Sequence, residues 1–109
     1  FTRLEGLPED YQAEGGGSGV LEELFAVIQD RQRELPEGSY TAQLLREGVG
    51  RIAQKVIEEA GETALASAQG HQDQLPGEVA DLLYHLLVLL AASGVPPRAV
   101  WEELRRRRG

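Results

Sequence analysis

The stretch Glu78–Ser93 constrains this chain more than any other. Leu82, Leu83, Leu86, Leu87, Leu89 and Leu90 cover most of a helix circumference, yet Glu78 and Asp81 open the same stretch with two carboxylates one turn apart. A helix that is apolar nearly all round is buried nearly all round, so the pattern predicts the central helix of a bundle. An unpaired charge is expensive to bury. Solvent alone does not account for Asp81, and the fold has to enclose this helix while giving its acids something to hold.

The rest of the sequence supplies the enclosing helices. Leu21, Leu24, Phe25 and Ile28 follow the i, i+3, i+4, i+7 spacing of an amphipathic helix that ends near Arg33, before Leu35-Pro36. Residues 36–41 have turn chemistry, and Thr41 is positioned to cap a short helix carrying Leu44 and Leu45 up to Gly48. Val49, Ile52, Val56, Ala60 and Thr63 mark a third helix running to about Gln69, with Gly70 as its stop. After Gly94-Val95-Pro96-Pro97, the residues Val100, Trp101 and Leu104 start a last helix, whose arginines 105–108 lie where the helix dipole favours cations and serve solubility. No strand pattern competes. The expected fold is all-α, a bundle of four to five helices over residues 20–109. Residues 1–19, which end in Glu14-Gly-Gly-Gly-Ser-Gly19, read as a tail and linker.

Composition narrows the function classes. The 109 residues suit one core. The longest apolar run, Leu86–Ala92, is short of the roughly 20 residues that span a bilayer, so no membrane partner is expected and a cytoplasmic location is. A net charge of −7 argues against gripping nucleic acid, whose binding depends on basic contacts to phosphate. With no cysteine and no methionine, any metal has to be held by oxygen or imidazole. The glycines at 15–19 match no phosphate-binding loop, because no Gly-Lys-Ser/Thr follows them.

The chemistry lies in Glu59-x-x-Glu62 and Glu78-x-x-Asp81, two acid pairs at one-turn spacing on two long helices joined by a short connection. Antiparallel packing brings Glu62 near Glu78. Carboxylates about 6–8 Å apart repel by roughly 2–3 kcal/mol at an effective dielectric near 20, and a hard cation relieves that repulsion. Oxygen ligands without sulfur select Mg²⁺, with Mn²⁺ as the other candidate, and such ions share their coordination sphere with water and substrate phosphate. Lys55 lies on the same helical face as Glu59 and Glu62, where it could meet phosphate or pair with Glu59. His85, four residues after Asp81, reads as a hydrogen-bonded core residue.

Three segments carry a family resemblance: Pro36-Glu-Gly-Ser-Tyr-Thr41, Lys55-Val-Ile-Glu-Glu-Ala-Gly-Glu62 and Glu78-Val-Ala-Asp-Leu-Leu-Tyr-His85. From about Val20 to Arg106 the chain resembles the phosphoribosyl-ATP pyrophosphohydrolases, within the MazG-like all-α nucleotide pyrophosphohydrolases. The resemblance implies Mg²⁺-dependent hydrolysis of a small nucleotide, phosphoribosyl-ATP, to phosphoribosyl-AMP and pyrophosphate, in a homodimer whose two copies complete the core. It implies Glu59, Glu62, Glu78 and Asp81 as metal ligands, and Glu58 as a further ligand or the base that orients water. Lys55 and the loop residues Ser39, Tyr40 and Thr41 would face substrate. Housecleaning nucleotide hydrolysis and a non-catalytic dimerisation module are the alternatives. Phe1-Thr-Arg-Leu-Glu5 looks like the tail of a preceding cyclohydrolase domain, which would make the natural protein bifunctional.

Overall fold

The structure is a computed structural model that describes residues 19–108. The expected tail, apart from Gly19, lies outside them. Five helices follow in order, α1 (Gly19–Glu34), α2 (Tyr40–Glu47), α3 (Val49–Ala68), α4 (Leu75–Ala92) and α5 (Pro97–Arg107), with no strand among the described residues. The all-α expectation holds.

The turns follow from a few local interactions. Leu35 ends α1 in the left-handed region at φ 47°, a conformation that strains a non-glycine residue, and its carbonyl accepts from Arg46 Nη2 at 2.6 Å. Ser39, not Thr41, caps α2: its Oγ accepts from the Ala42 N–H at 3.1 Å. Thr41 is one turn-step too late, already inside the helix with its side chain in the core. Gly48 alone joins α2 to α3 at φ 97°, accessible without strain only to glycine. Gly70 closes α3 as expected, with the His71 N–H reaching back to the Ala66 carbonyl at 2.9 Å in a Schellman arrangement. Pro76 sits in the first turn of α4, where its missing N–H costs nothing. The helix therefore starts at Leu75, ahead of Glu78.

The core is Leu24, Phe25 and Ile28 of α1, Leu44 of α2, Ile52 of α3, and Tyr84, Leu87, Val88 and Ala91 of α4. The most extensive packing is between α3 and α4, and α1 lies along α4. Cross-links hold the outer helices. Gln32 Nε2 donates to the Ala91 carbonyl at 3.1 Å, and Trp101 Nε1 of α5 donates to Glu22 Oε1 of α1 at 2.8 Å.

Two expectations are corrected. On α3 the buried side chains are Ile52, Lys55, Glu59 and Ala66, while Val49 and Ala60 are exposed. The helix is rotated about its axis from the orientation that hydropathy suggests, so that charged groups face inward. On α4 the buried side is Glu78, Asp81, Tyr84, His85, Leu87, Val88 and Ala91, whereas Leu83 and Leu86 reach the surface. The helix is central but not enclosed all round. It is also long and apolar enough to cross a membrane by length and composition alone, which the Leu86–Ala92 run understated. Its packing against α1, α2 and α3, with two acids buried in that packing, is that of a bundle core helix.

Candidate metal centre and active site

The rotation of α3 brings Glu59 opposite Glu78 and Asp81 of α4. The three are 0%, 4% and 1% exposed, and one carboxylate oxygen from each lies within 4.8 Å of the other two. Thr63 ties the helices together at this level, its Oγ1 bonded to the Glu59 carbonyl at 2.8 Å and the Glu78 carbonyl at 3.2 Å. Both Glu59 side-chain oxygens and Oε1 of Glu78 are buried without a hydrogen bond. At such separations each ionised pair would repel by roughly 3 kcal/mol, and three pairs together rival the whole stability of a small domain.

Part of that charge is balanced within the chain. Lys55 Nζ lies 3.4 Å from Glu59 Oε2 and 3.4 Å from Glu58 Oε1. Burial pulls the Lys55 ammonium toward neutrality, but Tyr40, Glu58 and Glu59 outweigh it, and its pKa stands above the ordinary lysine value. The ion pair with Glu59, one of the two readings the sequence left open for Lys55, is present. Burial, then the adjacent Glu62 and Glu59 carboxylates, push the Glu78 pKa up, so this acid holds its proton more tightly than a free glutamate. Glu62 is half-buried beside Glu78, one turn from the three-acid cluster, and Glu58 is exposed at its edge.

The loop residues separate into three environments. Ser39 is half-buried, and because its Oγ accepts from Ala42 its own proton stays available for an outward bond. Tyr40 is half-buried with its hydroxyl 3.1 Å from His85 Nε2. Burial raises its pKa, opposed by Lys55 and Arg51. Thr41 is fully buried, and its hydroxyl makes a short bond to that of Tyr84. His85 Nδ1 bonds the Asp81 carbonyl at 2.7 Å, and burial lowers the imidazole pKa.

Sequence reasoning passed over Thr63, which appeared only as a stripe residue, whereas His85 is the hydrogen-bonded core residue it was read as. For His85 the signal was its i+4 spacing from Asp81, which puts both on the buried face.

Comparison with known proteins gives a family for the chain. The family model described as phosphoribosyl-ATP pyrophosphohydrolase matches residues 21–108. The chain is 54% identical over 92 residues to the phosphoribosyl-ATP pyrophosphatase of Paramagnetospirillum magneticum, covering 84% of each protein. It is 53% identical over 88 residues to that of Metallosphaera sedula, covering 81% of this chain and 95% of the relative. With that of Saccharolobus solfataricus it shares 46% identity over 89 residues, covering 82% and 95%.

Proposed function

Since this chain belongs to the phosphoribosyl-ATP pyrophosphohydrolase family, we propose that it splits phosphoribosyl-ATP into phosphoribosyl-AMP and pyrophosphate, the second step of histidine biosynthesis, on the carboxylates shared by α3 and α4. The observation that carries the reading is the buried Glu59–Glu78–Asp81 cluster, an electrostatically costly arrangement.

The residues fit a divalent cation. Their donors are hard oxygens, several buried without hydrogen bonds, in a chain with neither cysteine nor methionine, and this set suits Mg²⁺ or Mn²⁺. Glu59, Glu78 and Asp81 would hold the ion, with Glu62 completing the set. When bound, such an ion neutralises triphosphate charge and acidifies water. Glu58, exposed at the rim, is our candidate for orienting the attacking water and accepting its proton. Lys55, released from Glu58 by an incoming phosphate, would balance charge developing on the pyrophosphate leaving group. Ser39 would donate to a phosphate oxygen from the start of α2. Thr41, with its hydroxyl bonded to Tyr84, is better assigned to holding α2 on α4 than to touching substrate.

Pyrophosphate release from phosphoribosyl-ATP, measured with Mg²⁺ and after chelation, tests the proposal. Turnover that needs the ion and exceeds that of deoxynucleoside triphosphates is expected. Comparable turnover of the two substrate classes would move the chain to housecleaning hydrolysis.

A further inference from the structure

The contact between Tyr40 of α2 and His85 of α4 stands beside the acid cluster and is tied to it through the Asp81 carbonyl. We propose that His85 is a positioning residue that fixes the Tyr40 hydroxyl as a hydrogen-bond acceptor toward the site, so that Tyr40 selects an N–H or O–H group of the substrate and not a phosphate oxygen. The word substrate rests on the catalytic reading above; the hydrogen-bond polarity does not.

The polarity follows from which atoms carry protons. The Asp81 carbonyl can only accept, so the proton of its 2.7 Å bond with His85 sits on Nδ1. The ring is 1% exposed, and a buried cation is costly, so it is the neutral imidazole that the site encloses. Nε2 is then a bare acceptor, and the Tyr40 hydroxyl 3.1 Å away is its donor. Having given its single proton to His85, the Tyr40 oxygen offers only lone pairs to whatever approaches.

Packing prevents the alternative. The His85 ring meets Tyr84 edge-on at 4.9 Å between centroids and 78° between planes, and Tyr40 at 5.9 Å and 80°. Tyr84 is in turn held to Thr41. A ring flip would turn carbon toward the Asp81 carbonyl and lose both hydrogen bonds, at about 1–3 kcal/mol for each group left unmet. On the site side the Tyr40 oxygen then presents an acceptor. An ionised phosphate oxygen has no proton to offer there. A sugar hydroxyl of the nucleotide does, so Tyr40 and Ser39, neighbours in sequence, would read opposite chemistry: one accepts and the other donates.

Two measurements test this. In ¹⁵N NMR of the full chain near neutral pH, His85 is expected as the neutral Nδ1–H tautomer, with Tyr40→Phe shifting its Nε2 resonance but not the tautomer. An Nε2–H tautomer or an imidazolium overturns the proposal, whatever the substrate. In steady-state kinetics with phosphoribosyl-ATP, Tyr40→Phe and His85→Leu should each raise KM roughly tenfold, the value of one hydrogen bond, with a smaller change in kcat. The double variant should be no worse than either, and His85→Gln, whose amide oxygen can accept from Tyr40, should recover most of the loss. Additive effects, or a fall in kcat at unchanged KM, also overturn it. Absence of turnover by the wild type would refute the catalytic reading instead, leaving the tautomer measurement to decide the polarity.

Discussion

On α4 one face carries Glu78, Asp81, Tyr84 and His85 and is closed inside the bundle, while another carries Leu83 and Leu86 and reaches the surface. Burial on this helix thus runs partly against hydropathy. The same inversion occurs on α3, where Lys55 and Glu59 are buried and Ile57 and Leu65 are 72% and 58% exposed. The proposal accounts for the enclosed charged groups by the cation they would hold, which would offset their cost. Large apolar groups are left outside where a second copy of the chain could cover them. On the proposed reading the two faces answer to different demands, ligand binding on one and association on the other, and substitutions on each should have separable effects.

The largest separation is expected from Asp81→Asn. Turnover should fall by two or more orders of magnitude on the order of those seen when a catalytic ion is lost. In metal-free buffer the melting temperature should stay level or rise, equivalent to about 0.5–2 kcal/mol, because a near-isosteric neutralisation removes repulsion without opening a cavity. Calorimetry and pyrophosphate release on one preparation check both. A variant that unfolds readily would make Asp81 a structural partner and withdraw its metal role.

Leu86→Glu probes the other face. The wild type is expected to sediment as a homodimer, and the variant to dissociate at concentrations roughly a hundredfold or more higher, since a charge would be desolvated within an apolar contact. Helical content should persist in the monomer. A wild type already monomeric at micromolar concentration would refute the dimer and leave the leucine face unexplained.

A smaller effect ties the acid face to pH. The Glu78 pKa is raised in the folded chain, first by burial and then by Glu62 and Glu59. The folded state therefore binds more protons than the unfolded state between the ordinary glutamate value and the raised one. Stability contributed by this group is present below that window and is lost as pH rises through it. Metal-free protein should melt lower as pH climbs across the window, Glu78→Gln should flatten the dependence, and Mg²⁺ should stabilise more at the higher pH because it binds the ionised carboxylate. Melting curves over a pH series, with chelator and with Mg²⁺, would reveal a flat wild-type profile if Glu78 were unperturbed.

Local rules were enough to read the helices and their stops. The stripe Leu21, Leu24, Phe25, Ile28, the closing Gly70 and the Pro96-Pro97 start all act within a turn or two of chain, where spacing, φ preference and capping are properties of neighbouring residues. The acid pairs were legible for the same reason, since an i, i+3 spacing on a helix is already a statement about geometry. Packing alone decided which face of α3 turned inward, that Thr41 joined Tyr84 in the core while Ser39 capped α2, and that His85 met Tyr40 across 45 positions of sequence. Hydropathy assigns each side chain its own preference for water. Whether a carboxylate or a leucine is the one enclosed depends on the sum over all the groups that meet at an interface, and those groups become neighbours only when the helices pack.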